Sequence, residues 1–168
     1  MAVIIRKATE ADYRDLCIIF DEVDRMHRDE LPRRFKAFEG PARPRNYIVN
    51  AIKAPDVGLF VAELEGQLVG FVHVTIKDMP PVPIFVQRRY ASVDNLAVRR
   101  AHRRGGVGRA LMKRAEAWAE ARGATSVELN VYAFNQPAED FYRSLGYNTL
   151  SHRMSKSLGT PEPQRKDG

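Results

Sequence analysis

One carboxylate in this sequence sits in an apolar run, and one basic bend is equipped to hold an anion. Asp94 lies in VDNLAV, a run that otherwise reads as a buried strand. A charge there needs a reason: it takes a proton, or it orients a cation at an edge or cleft. The bend is RRAHRRGGVG at residues 99–108, where Gly105, Gly106 and Gly108 leave the backbone open to close approach. A helix follows, so the bend also carries unpaired N–H groups and the positive end of the helix dipole. Phosphate or pyrophosphate suits that combination. Arg99, Arg100, Arg103, Arg104 and Arg109 add positive charge around it.

These groups need elements to hold them. The helix after the bend repeats Val107, Leu111, Ala115 and Trp118 at the spacing of one buried face and ends near Arg122, with Gly123 as its stop. Val3 to Arg6 reads as an opening strand, after which Thr9 and Asp12 form a capping-box-like start to a helix facing inward through Tyr13, Leu16, Ile19 and Phe20. Residues 21–44 resist assignment, since Pro32, Pro41 and Pro44 forbid a long helix. A short helix over Arg45 to Ala54 is expected to turn Tyr47, Ile48 and Ile52 inward. GLFVAELE and QLVGFVHVTI form a hairpin around Glu65-Gly66. DMPPVP at residues 78–83 breaks the pattern as a mobile loop, and Gln87 to Val98 resumes as a strand. Ser126 to Tyr132 is another strand, Pro137 to Leu145 a short helix capped by Asn135 or Gln136, and Tyr147 to Leu158 a closing strand. The tail from residue 159 to 168 has the composition of a disordered end.

At 168 residues the chain has room for one domain, placed at residues 1–158. No apolar run is long enough for a membrane span, and no secretory signal is legible at the N-terminus. The only cysteine, Cys17, excludes a disulfide framework and a thiolate metal cluster, and its apolar neighbours suggest a buried helix position. A cytoplasmic protein without a membrane partner or metal is expected. The net charge of +6 admits nucleic acid, an acidic partner or a phosphate-bearing ligand. No aromatic interleaving or DNA-reading helix accompanies the arginines, so nucleic acid is not the expected partner. Arg33, Arg34, Lys36, Arg43 and Arg45 read as a solvated basic surface.

The phosphate-loop lysine motif and a GxGxxG fingerprint are both missing. What remains is Arg-x-x-Gly-x-Gly at Arg103, Gly106 and Gly108, after a strand ending LAV. This resembles the loop of GNAT N-acetyltransferases that holds the pyrophosphate of acetyl-coenzyme A. Downstream, NQPAEDFYRSLGY at Asn135 to Tyr147 resembles the family's next motif, N-x-x-A-x-x-x-Y-x-x-x-G-[FY]. The resemblance runs more loosely from about Val3 to Leu158. It implies an α/β fold: a mixed, mostly antiparallel sheet flanked by helices, with splayed central strands.

By that resemblance Leu96, Ala97 and Val98 bind the pantetheine arm through their backbone, while Arg103, Arg104, Gly105, Gly106, Val107, Gly108 and Arg109 hold the pyrophosphate. Tyr142 contacts the thiol or protonates it. Asn135 either contacts coenzyme A or simply caps its helix. Asp94 takes the place of a carboxylate that deprotonates the amine, directly or through water. Family members that acetylate ribosomal N-termini carry a glutamate where this chain has Asn130, a departure from their base and their substrate. Asn130, His27 and Tyr90 are the candidates for the acceptor pocket; His73 could titrate near neutrality but reads more simply as structural. The implied reaction moves acetyl from acetyl-coenzyme A, a co-substrate, to a primary amine in a ternary complex. The acceptor is a small-molecule amine, or alternatively a protein N-terminus or lysine, and a homodimer is possible by resemblance. A non-catalytic acyl-coenzyme A binding module is the competing class.

Overall fold

The computed structural model describes residues 2–159; most of the expected tail lies outside that range. The backbone gathers into two compact units, one up to Phe134 and one from Asn135 onward.

In the first unit the strands are β1 (Ile4–Lys7), β2 (Val57–Leu64), β3 (Gln67–Asp78), β4 (Arg89–Val98) and β5 (Val127–Leu129). They form one sheet in sequence order, antiparallel except for the parallel pair β4–β5. Helices α1 (Tyr13–Glu30) and α2 (Arg45–Lys53) separate β1 from β2, and α3 (Val107–Glu120) separates β4 from β5. The expected hairpin is present, with Glu65 and Gly66 both at positive φ (52° and 78°). That geometry suits the right-handed twist of the strands it joins.

Alternation sorts the core. Leu59, Val61, Phe71 and Ala97 pack with Leu16, Ile19 and Phe20 of α1 and Ile48 of α2. Leu111, Met112 and Ala115 of α3 are also buried, and Trp118 meets the Phe60 ring edge-on at 6.1 Å. Gly70 allows the closest approach: a Cβ there would lie 2.7 Å from the Ala97 carbonyl oxygen and 3.2 Å from Leu111.

The start of α1 is tied to the sheet. Asp12 accepts from the Thr9 backbone N–H at 2.7 Å, as the capping-box pattern predicts, and also takes both terminal nitrogens of Arg6 at 2.8 Å. The Arg6 guanidinium holds the Asp12 carboxyl below its usual 3.8, while burial opposes that shift. A group with a lowered folded pKa stabilises the fold above its unfolded value and loses that contribution as pH falls through the folded one. Asp12→Ala is expected to cost about 2 kcal/mol at pH 7. This is less than a fully buried pair because Arg6 keeps part of its surface in water. Urea unfolding of both proteins should show the difference shrinking as pH falls below about 3.8.

Several expectations need correction. Tyr47 does not turn inward with Ile48 and Ile52; it is 44% exposed. Cys17 is half-buried, at the border of the α1 apolar face. Arg43 is not merely solvated, for it pairs with Asp24 and lies 4.4 Å over the Phe20 ring. The strand at Ser126 to Tyr132 contracts to Val127–Leu129.

The second unit carries α4 (Gln136–Ser144), and Asn135 Oδ1 caps it by accepting from the Ala138 N–H at 3.2 Å. The closing strand at Tyr147 to Leu158 does not form. Leu150, Met154 and Leu158 are 79%, 91% and 92% exposed. His152 and Lys156 occupy the alternating positions between them, so a strand here would bring too few apolar groups to a core.

Candidate active site

Strand β4 is the axis of the site. Its pairing with β3 continues to Val98, but its pairing with β5 stops at Val93. From Asp94 to Val98 the far edge of β4 pairs with no strand among the described residues, which leaves its backbone groups available to a ligand. This is the expected splay, and Leu96, Ala97 and Val98 lie on it. Ala97 is buried in the core, while Leu96 and Val98 are half-buried.

Asp94 sits where the splay begins, and also at a bulge. Asn95 pairs with His73 and Val93 with Val74, so Asp94 is the extra residue between two ladder positions. A bulge bends the strand and re-aims a side chain. The Asp94 carboxylate accepts from the Thr75 hydroxyl at 2.6 Å and the Ser92 hydroxyl at 3.0 Å, with Lys77 Nζ 4.0 Å away. A carboxylate held by two hydroxyls is fixed in direction yet keeps capacity for another partner.

Beyond Val98 the chain turns into the basic bend. Arg103 Nε donates to the Val98 carbonyl at 2.9 Å, tying the bend to the end of β4. Arg104 and Gly106 both adopt left-handed backbone, at φ 64° and 82°. For an arginine that conformation is strained, and such strain gathers at ligand-holding turns. No side chain caps α3 at Gly106, and the first helical bond there is Ala110 N–H to the Gly106 carbonyl at 3.0 Å. A Cβ on Gly106 would meet nothing within 4 Å, so the space over the bend is open. Gly105 and Arg109 are exposed beside it, Gly108 is half-buried, and the Val107 side chain points into the core. Backbone N–H groups before an uncapped helix, under open space and among arginines, suit a diphosphate.

Each acceptor candidate has its own neighbours. His27 stands among Phe35, Tyr132 and Phe134, with ring centroids at 5.3, 5.4 and 6.0 Å, and burial lowers its pKa. Tyr90 lies four residues before Asp94 with Arg88 packed 4.9 Å over its ring. Asn130 is exposed just after β5. His73 is the residue that the structure draws toward Asp94. It is only 7% exposed, and burial lowers its pKa against the opposing pull of that carboxylate. Thr75 and Ser92 were legible only as polar positions in apolar strands; their joint role depends on the β3–β4 register.

In the second unit Tyr142 is half-buried beside Phe141 and Tyr147, with ring centroids at 5.2 and 5.7 Å. Burial pushes its phenol up to about 12.

The Acetyltransferase (GNAT) family profile matches residues 20–147, which include the splayed strand, the bend and the Asn135–Tyr147 segment. The chain belongs to the GNAT acetyltransferase family. This GNAT protein is an acyltransferase enzyme, and its fold is the mixed, mostly antiparallel α/β sheet with helices that the family shows. An N-alpha-acetyltransferase of Sulfurisphaera tokodaii is 29% identical over 135 residues, covering 77% of this chain and 75% of its own. A point mutant of the BH1408 protein from Bacillus halodurans superposes with a TM-score of 0.88 at 27% identity, over 92% of this chain and 99% of its own. The aminoglycoside enzyme AAC(6')-Iy, solved with a bisubstrate analog built on coenzyme A, shares the fold alone. Its TM-score is 0.72 at 13% identity, over 95% of this chain and all of its own. No helix among the described residues is long and apolar enough to cross a membrane.

Proposed function

We propose that residues 1–158 act as one cytoplasmic N-acetyltransferase domain that moves the acetyl group of acetyl-coenzyme A to a primary amine. The observation that carries this reading is the continuity between the unpaired β4 edge at residues 94–98 and the uncapped, left-handed turn at Gly106. An extended pantetheine arm suits the first, and a diphosphate suits the second. Bound there, acetyl-coenzyme A supplies an activated thioester.

The remaining chemistry belongs to the chain. The backbone of Leu96, Ala97 and Val98 orients the arm, and Arg103, Arg104 and Arg109 neutralise the diphosphate with the N–H groups of the bend. An alkylammonium of pKa about 10.4 leaves on the order of one part in a thousand as free amine at neutral pH. Asp94 draws that cation to the start of the splay and takes its proton, directly or through water. The Tyr142 hydroxyl hydrogen-bonds the departing sulfur. Holding both reactants in register contributes several kcal/mol before any proton moves.

A small-molecule acceptor is the reading we favour. A peptide α-amine is the second, suggested by the name of the Sulfurisphaera relative, although Asn130 replaces the expected glutamate. Calorimetry with acetyl-coenzyme A, then thiol release with small amines and N-terminal peptides, tests both. Saturable binding with amine-dependent thiol release is expected. Absence of binding removes the enzyme reading, and binding without turnover on any amine points to a sensor.

A further inference from the structure

His73 is buried, with Asp94 as its electrostatic partner. A neutral imidazole offers one donor and one acceptor, and no buried side-chain nitrogen among the described residues lacks a partner, so a nitrogen of this ring that is not already bonded is one that solvent reaches. The ring lines an open groove of about 310 Å³ between α2 and the β2–β3 pair. Ala51, Ala54 and Val57 give the groove apolar walls, and Asn50, Thr75 and the Tyr47 ring complete it. Tyr47 stands edge-on to His73 at 6.4 Å, which explains why it faces away from the core. Thr75 links the groove to the reaction site, because the same residue lines the groove and donates to Asp94 at 2.6 Å.

We propose that this groove is the acceptor pocket of the acetyltransferase, taking a compact primary amine whose short hydrocarbon body lies against Ala51, Ala54 and Val57. Its amino group then lies beside His73 and Asp94. The inference rests on the reading above and adds the location of the acceptor and its class. Small-molecule sites run from roughly 300 to 1,000 Å³; this open groove lies at the low end, and its apolar wall matches a short chain or single ring better than a three-ring aminoglycoside. The carboxylate attracts the cationic form, while the imidazole accepts a hydrogen bond from the neutral amine. His73 is a binding and positioning residue in this scheme, and no proton is assigned to it.

The test uses the full-length protein with acetyl-coenzyme A, reading thiol release with propylamine, butylamine, pentylamine and sisomicin. Ala51→Phe fills the groove from its α2 wall, and its thermal midpoint is checked beside the wild type. It is expected to raise KM for butylamine at least tenfold, while acetyl-coenzyme A affinity by calorimetry stays within twofold. His73→Phe keeps the ring volume and removes both nitrogens. It is expected to raise the same KM, with a thermal midpoint near that of the wild type. As a measurement independent of any variant, butylamine should shift the ring 15N resonances of His73 in the wild-type protein. Unchanged KM in Ala51→Phe, an unmoved His73 resonance, or a higher kcat/KM for sisomicin than for butylamine overturns the pocket while leaving the enzyme standing. A wild-type protein that fails to bind acetyl-coenzyme A overturns the enzyme reading, whatever the resonance does.

Discussion

Gly108→Glu is expected to abolish acetyl-coenzyme A binding while leaving the folded protein at least as stable as the wild type. Gly108 is the second residue of α3, after the Gly106 cap and Val107. Glycine inside a helix costs about 1 kcal/mol relative to alanine, and an acidic group in the first turn gains roughly 0.3–1 kcal/mol from the dipole. Both effects favour glutamate in the free protein. Against a bound diphosphate the sign reverses. Two like charges 4 Å apart near a protein surface repel by about 4 kcal/mol, equivalent to about a thousandfold in affinity. Calorimetry should find no binding at concentrations that saturate the wild type, and the thermal midpoint should hold or rise. Gly108→Gln separates size from charge: it should weaken binding much less. Equal affinity of Gly108→Glu and wild type would place the diphosphate elsewhere.

The bend could be read from sequence because all its determinants are local. Adjacent glycines, a basic run and the apolar period of the following helix lie within about twenty residues, and Gly106 takes the left-handed backbone that glycine permits. The Asn135 cap and the Thr9–Asp12 capping box were legible for the same reason. The bulge at Asp94 was not, because it depends on how β3 pairs across from it: His73 with Asn95, then Val74 with Val93. Nothing in VDNLAV alone says which residue is extra. The setting of His27 was equally hidden, since Tyr132 and Phe134 come from a distant part of the chain. Tyr47 misled for a further reason. Helical spacing places it beside Ile48, but only the groove next to His73 shows why an aromatic ring faces outward there. The closing strand failed on composition: Leu150, Met154 and Leu158 match a period of two only at every second inward position.

Tyr142→Phe is expected to lower kcat by about ten- to a hundredfold, with KM for both substrates changed by less than about threefold. The size follows from what a phenol at about 12 can do. A thiol has an ordinary pKa of about 8.5, so complete proton transfer from this phenol to a thiolate runs uphill by roughly 5 kcal/mol. Tyr142 therefore contributes as a hydrogen-bond donor to developing negative charge rather than as a full acid. Hydrogen bonds to charged groups are worth about 1.5–3 kcal/mol, which is the stated range in rate. Because that charge develops as the sulfur departs, the loss falls on turnover rather than on binding. The pH profile supplies the second reading. Burial keeps the phenol protonated well past neutrality, so the wild type should show no loss of kcat attributable to Tyr142 between pH 7 and 9. The variant should run parallel to it at a lower level. Equal rates would make Tyr142 a packing residue of the helix and its aromatic neighbours, and an alkaline limb present only in the wild type would show that the phenol must stay protonated to act and ionises lower than its burial implies.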